Sequence, residues 1–348
     1  MRKLAVGTLL GRVHEFLKVY LPNHRHLSPN TIRAYSKSLD LLLDFVKNEK
    51  HVQLIDVTFD MLTADMILAF LDYLEVTTYC SISTRNQRLA AIRAFIKYAA
   101  TRDIAVAANL KELKAVPTKK TANVKLIEYM SEAAVAAILV EPDANTQKGF
   151  RDRTLLIMMY ETAARVQEIA DIKLSDFRWG KKPTVTLHGK GRKDRTVPIS
   201  EKAAKHLKLY LDTFHPMPRN NGQYLFYTVI HGTTRSITVR RIRDIVKEHS
   251  ASARKKCNEI PDNTFPHIFR HSRAMHLYQN GMDLTLIAQW LGHVHLDTTQ
   301  IYAHADSEHK RVAIEKATST TNPINAKMST PRFTISDDDM LRQLAGLI

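Results

Sequence analysis

At 348 residues the chain has room for two domains with full cores, and 44% hydrophobic with 25% charged residues is the balance of an ordinary soluble globular protein. Its 51 lysines and arginines against 35 aspartates and glutamates give a formal charge of +16, which points to a polyanionic partner, most simply a nucleic acid, with a basic but non-binding surface as the bland alternative. Two cysteines, Cys80 and Cys257, exclude a disulfide framework and suit a reducing cytoplasmic compartment, and no apolar run approaches the roughly 18 residues of a membrane span.

The opening run MRKLAVGTLLGRVHEF begins basic, but Arg12 and His14 interrupt its apolar stretch. That pattern predicts an amphipathic helix rather than a signal peptide. Ser28 as N-cap and Pro29 in the first turn open a helix whose apolar positions are Ile32, Tyr35, Leu39, Leu42, Leu43 and Phe45. Helices over 63–74 and 83–100 follow. The latter carries Arg85, Arg88, Arg93 and Lys97 around Leu89, Ile92 and Ile96. Such a face suits DNA phosphates, with Arg85 and Arg88 as candidates; scattered solvated charges are the alternative. Residues 1–113 are therefore expected to form a helical domain. Residues 114–125, with Pro117, Lys119 and Lys120, read as an exposed linker whose charge, Lys119 included, suits passage near DNA.

A second domain is expected over 126–318. Ser131 caps a helix, and a further helix is expected through RTLLIMMYETAARVQEIADI, which carries Arg165 and Glu168. Read alone, these two are a surface ion pair worth tenths of a kcal/mol. Thr184 to His188 alternates as a strand, GKGRKD turns, and Arg195 to Ile199 returns, so a hairpin is expected. Its turn holds Lys190, Arg192 and Lys193, the last two as phosphate contacts. After the helix EKAAKHLKLYLDTF comes a loop rich in proline and glycine. The basic helix ITVRRIRDIVKEHSASARKK then offers Arg240, Arg241 and Arg243 for a groove or backbone contact.

The last informative stretch, His267 to Tyr302, reads HIFRHSRAMHLYQNGMDLTLIAQWLGHVHLDTTQIY. His267 and Arg270 share a helix face by their spacing. Asn280-Gly281 ends that helix, a second apolar run stops at Gly292 before His293, and Asp297 suits the cap of a third helix carrying Tyr302. Donors and cations beside a phenol suit an anionic centre attacked by tyrosine. Sixteen histidines invite a zinc reading, but no HExxH or CxxC occurs. His271, His276, His295 and His304 are read as packing or surface residues, and no metal or cofactor is expected. The tail, 319–348, ends in ISDDDMLRQLAGLI, where aspartates suit a helix start and Met340, Leu341, Leu344 and Ile348 form an apolar stripe.

His267-x-x-Arg270, Leu291-Gly292-His293 and Tyr302, nine residues after His293, resemble the signature of the tyrosine recombinase (integrase) family, in its two-domain phage-integrase and Xer-like form. The opening LSPNTIRAY is similar to that of the family's core-binding domain. The run Thr162-Ala163-Ala164-Arg165-Val166-Gln167-Glu168 matches its T-G-x-R-x-x-E pattern with Ala163 in place of glycine, and G-K-G-x-K matches at Lys190. The resemblance implies a mainly α fold with a small antiparallel sheet: an N-terminal SAM-like bundle and an α+β catalytic domain. With no sizeable domain before the first helix, the arm-binding domain of larger phage integrases is not expected.

The family's chemistry, carried onto this sequence, implies DNA strand cleavage and rejoining through a 3′-phosphotyrosyl intermediate, without metal or ATP. Tyr302 would be the nucleophile, Arg165, Arg270 and His293 the clamp on the phosphate, Lys190 the general acid, and Glu168 the support of Arg165. His267 would assist the clamp and accept the tyrosine proton. Double-stranded DNA would be the partner of a homo-tetramer on paired sites, with an accessory DNA-bending protein or partner recombinase. The enzyme would work at the nucleoid, in integration, excision, transposition or chromosome resolution, and the tail would contact a neighbouring protomer, with a helix packed on its own catalytic domain as the alternative. A type IB topoisomerase shares the catalytic set, and a DNA-binding regulator could keep the fold without the chemistry.

Overall fold

In the computed structural model, the residues described are 8–120, 128–189, 193–217, 219–293, 299–302, 311, 338–344 and 346–347. The chain divides into two compact units, Met1–Asn123 and Val124–Ile348. Among the described residues no helix is long and apolar enough to cross a membrane.

The first unit is helical: α1 (Leu9–Glu15), a π-helical continuation (Phe16–His24) containing Pro22, α2 (Pro29–Lys50), α3 (Ala64–Val76), α4 (Ile82–Ala100) and α5 (Ile104–Ala115). The ends are written locally. Ser28, Thr63 and Ser81 each accept a backbone N–H of the first turn of α2, α3 and α4, a cap worth about 1 kcal/mol. Phe16, Leu39, Leu42, Val46, Phe70, Ile92 and Phe95 are buried in one core. The first residues of the expected linker are tied down: Arg93 donates to the Lys114 and Val116 carbonyls, and Asn86 donates to the Lys119 carbonyl at 2.8 Å.

The second unit begins with α6 (Glu132–Val140), α7 (Gln147–Thr162) and α8 (Val166–Asp171). The sequence pattern predicts one helix across the last two; the chain instead breaks at Ala163, in the left-handed conformation at φ 50°. A three-stranded antiparallel sheet follows in the order β1 (Phe177–Arg178), β2 (Thr184–Gly189), β3 (Lys193–Pro198), with Val185 opposite Val197 and Gly189 opposite Lys193. After α9 (Glu201–Phe214), the expected loop contains a hairpin, β4 (Tyr227–Ile230) with β5 (Thr233–Ser236). Its turn is His231-Gly232, at φ 47° and 74°. Two positive φ values make a tight turn that matches strand twist, and histidine in the place usual for asparagine hides the signal.

Helices α10 (Val239–Arg254), α11 (Pro266–Gln279) and α12 (Leu284–Leu291) complete the frame, residues 299–302 are helical, and α13 (Asp338–Leu344) lies in the tail. Leu155, Met158, Val185, Leu207, Phe226, Ile245 and Phe269 are among the core residues that hold these elements together. A smaller cluster of Ala163, Met275, Ile287, Leu291 and Tyr302 packs α11 and α12 around the tyrosine. The fold is mainly α with small antiparallel sheets, as expected.

Candidate active site

Arg165, Phe265, His267, Arg270, His271, His293, Ile301 and Tyr302 line one cavity of about 480 Å³ in the second unit. The arrangement starts at two left-handed residues. Ala163 stops α7 and turns the chain so that Arg165 begins α8. Alanine there costs about 1–2 kcal/mol of strain, partly offset by a fully buried methyl, about 0.8 kcal/mol. Gly292 ends α12 at φ 64°, where a Cβ would also meet Arg195 Cδ at 3.1 Å.

The last carbonyls of a helix lack partners within it and carry its negative dipole end. Three arginines take up those of α12. Arg195 Nε donates to Trp290 O at 2.7 Å, Arg270 Nη2 to Leu291 O at 2.6 Å, and Arg165 Nη2 to Gly292 O at 3.4 Å. Arg270 also donates to Ala163 O at 2.7 Å. Burial, with Arg165 and Arg195 nearby, lowers the Arg270 guanidinium to about 9, so it stays charged at neutral pH. Beneath them Glu168, 5% exposed, receives the Arg165 backbone N–H at 2.8 Å and Arg165 Nη1 at 2.9 Å.

His293 and Thr299 are joined at 2.8 Å through Nδ1 and Oγ1. Burial, reinforced by Arg270 and Arg165, pushes His293 down to about 4, so its ring is neutral near pH 7. Tyr302 is fully buried, and burial pushes its phenol up to about 12 against the charge of Arg270. Its hydroxyl lies 3.0 Å from Nδ1 of His271.

Of the expected catalytic residues, Arg165, His267, Arg270, His293 and Tyr302 come together on this cavity. Lys190, Arg192, Asp297, His295 and His304 lie outside the described residues. His271, expected to be a packing or surface residue, instead belongs to the site. It is one position past Arg270 and four past His267, so helical spacing places all three on one face. Arg195 was expected only as part of the returning strand; its guanidinium spans Glu168 and α12. His276 is buried and bonded to Tyr160 and Met130, a packing residue.

The candidate DNA contacts divide. Arg85 is 1% exposed, with Nε 2.7 Å from Glu75, so it has no free surface for a phosphate. Arg88 is half-buried, and Lys119 is exposed but paired with Glu75 at 2.8 Å. Lys193, Arg240 and Arg243 are exposed, while half-buried Arg241 lies 3.8 Å from Glu248. Among the described residues no group of three His, Cys, Asp or Glu could hold a metal ion.

Comparisons with known proteins show the family. Residues 128–309 match the phage integrase family, and residues 13–103 match its N-terminal SAM-like domain. A putative integrase/recombinase, y4rC of Sinorhizobium fredii, is 32% identical over 98% of this chain and 99% of its own. Tyrosine recombinase XerD of Staphylococcus epidermidis is 30% identical over 86% of this chain and 95% of its own. The chain belongs to the phage integrase family. It is an enzyme of the site-specific tyrosine recombinase class.

Solved structures share the fold. The XerH site-specific recombinase in a post-cleavage complex with its palindromic difH substrate superposes with a TM-score of 0.64 at 22% identity, covering 84% of this chain and 80% of that one. The Tn1549 transposon integrase in complex with transposon right-end DNA gives 0.63 at 16% identity, covering 87% of this chain and 98% of that one.

Proposed function

We propose that this recombinase cleaves and rejoins double-stranded DNA through a 3′-phosphotyrosyl bond to Tyr302, with no metal ion or ATP. The observation that carries the reading is the meeting of Tyr302 with Arg165, Arg270 and His293 on one cavity wall. A phosphodiester under attack gathers charge on its non-bridging oxygens, and arginine forks stabilise that charge by paired hydrogen bonds. Arg270 has five N–H groups; among the described residues two are held by carbonyls, and the others are the donors assigned to the phosphate.

His293 adds a donor in the tautomer whose Nδ1 accepts from Thr299, since its proton then sits on Nε2. His267 adds another. Lys190, which falls between β2 and β3 in the sequence, supplies the proton for the leaving 5′-oxygen. The phosphotyrosine ester keeps the energy of the broken bond, so rejoining needs no further energy source. Arg88, Lys119, Arg192, Lys193, Arg240, Arg241 and Arg243 contribute charge along the duplex. Four protomers on two paired sites, assisted by a DNA-bending or partner protein, exchange strands on the nucleoid in the cytoplasm. The relatives' printed names, which include integrases and recombinases, support this over simple relaxation of supercoils.

A nicked suicide substrate tests the reading. Wild-type protein should become covalently trapped on it, and Tyr302→Phe should bind the site with near-equal affinity yet leave no trapped product. Trapping at undiminished yield by the Phe variant would move the nucleophile elsewhere, with Tyr278 the next to test.

A further inference from the structure

In the run His267-Ile268-Phe269-Arg270-His271, the family pattern gives tasks to the first and fourth residues and none to the fifth. The structure gives His271 a specific neighbour. Its Nδ1 lies 3.0 Å from the Tyr302 hydroxyl, with ring centroids 6.0 Å apart. The ring centroid of His267 lies 6.3 Å from that of His271. All three line the cavity that holds Arg165, Arg270 and His293.

A tyrosine must lose its proton as it attacks phosphorus, because a neutral phenol is a poor nucleophile. With the Tyr302 phenol raised to about 12 by burial, only about one molecule in 10⁵ is ionised at neutral pH. Spontaneous ionisation therefore supplies too little nucleophile, and a base in hydrogen-bond contact is needed. The arginines nearby cannot serve, since guanidinium has no acceptor. His271 can: burial keeps its ring neutral, which leaves one acceptor nitrogen, and it is this ring that touches the Tyr302 hydroxyl.

We infer that His271 is the general base for Tyr302. As Tyr302 Oη bonds to phosphorus and the P–O5′ bond breaks, the phenol proton passes to His271 Nδ1, and the leaving 5′-oxygen takes its proton from the separate general acid. Rejoining reverses each transfer: the 5′-hydroxyl gives its proton back to the acid, and His271 returns its own to the tyrosine oxygen as P–Oη breaks. His267, given that task by the resemblance, is left to donate to the phosphate. The assignment rests on the recombinase reading above and deepens it.

Single-turnover cleavage of the nicked site by His271→Ala and His271→Asn separates a base from a prop. Asparagine can place an amide near the position of Nδ1 and keep a hydrogen bond to Tyr302, but it takes up no proton. A base role predicts both variants slower by about 10²- to 10⁴-fold, with site binding near wild type. It also predicts no recovery on a substrate whose 5′-bridging oxygen is sulfur, because a thiolate leaves without an acid. Cleavage by His271→Asn within about tenfold of wild type would make the contact a structural one and overturn the assignment. Recovery of His271→Ala on the sulfur substrate would overturn it in another way, by making His271 the acid. A wild-type protein with no Tyr302-linked product overturns the recombinase reading as well; wild-type trapping beside an equally fast Asn variant overturns this assignment alone.

Discussion

Arg195 and Glu168 form a two-pronged ion pair, Nη1 to Oε1 at 2.8 Å and Nη2 to Oε2 at 2.7 Å, with side chains 8% and 4% exposed. The same carboxylate holds Arg165, and the same guanidinium reaches Trp290 O. Strand β3, the start of α8 and the end of α12 are therefore joined through one buried pair. Three groups on the cavity wall, Arg165, Arg270 and His293, depend on that junction for their spacing.

Removing one member of a buried pair leaves the other charged and unpartnered, at about 3–5 kcal/mol. Glu168→Ala should lose stability on that scale and should also free Arg165, so DNA cleavage falls further than folding alone explains. Arg195→Lys should fall between wild type and Ala variants, since a point charge cannot replace a fork. Urea unfolding of the three proteins measures the stability term. A loss below about 1 kcal/mol in Glu168→Ala, the scale of an exposed pair, would show that solvent already reaches the pair.

The pH dependence has a definite sign. Burial alone would raise the Glu168 carboxyl, but hydrogen bonds and charge from Arg195, joined by Arg165, hold it below its ordinary 4.5. A carboxyl lowered on folding stabilises the protein above its unfolded value and loses that contribution as pH falls through the folded one. The stability gap between wild type and Glu168→Gln should therefore be full above about pH 4.5 and should shrink on further acidification. Urea midpoints between pH 3 and 7 check it; a gap that widens toward acid would contradict the pairing.

Arg85 and Arg240 should respond oppositely to alanine. Arg240 is exposed on α10, and losing one phosphate contact should reduce the salt slope of DNA binding by about 1. Arg85 is buried against Glu75 and donates to the Pro117 carbonyl at 3.2 Å. Its alanine variant should lower the unfolding temperature and leave the salt slope unchanged. Binding measured across a salt series distinguishes the two, and a reduced slope for Arg85→Ala would restore it as a DNA contact.

Cleavage should persist in excess EDTA, because the proposed clamp consists of protein cations and imidazoles. Complete loss, restored by one particular divalent ion, would remove that mechanism, whereas a change in site affinity alone would concern only DNA shape.

How much of this was readable from the sequence depended on whether the signal was local. Caps such as Ser28 and Ser131 act within one turn, and the corresponding helix starts follow them. The clustering of His267, Arg270, His293 and Tyr302 was carried by the family pattern. Arg85 was misread although its position was legible: 85, 89, 92 and 96 fall at i, i+4, i+7 and i+11, the buried stripe of α4. Its partner Glu75 sits on another helix, and no spacing rule links them. His271 was missed in a similar way, for helical spacing puts it beside His267 and Arg270, but the contact with Tyr302 spans 31 positions. The bond of Arg195 to Trp290 spans 95, which only the folded chain brings together.

The tail offers the last test. Helix α13 starts with Asp338 and Asp339, which complement its dipole, and its Met340 and Leu341 are 50% and 46% exposed. Leu347 beyond it is 73% exposed. Adjacent large apolar side chains left in water are more informative than scattered ones, because covering them is worth about 25 cal/mol per Å². The tail's basic residues, Lys327, Arg332 and Arg342, are balanced by three aspartates, Asp337, Asp338 and Asp339, so a DNA arm is a poor fit. The hypothesis under test is that the tail docks on a neighbouring protomer and couples its activity to assembly. Truncation after Thr334 should then weaken synapsis of paired sites and change cleavage there, while the monomer keeps its affinity for a single site. Native-gel assembly on paired and single sites reads the two effects separately. A truncated protein that assembles and recombines like the full chain would show that the tail has no part in assembly.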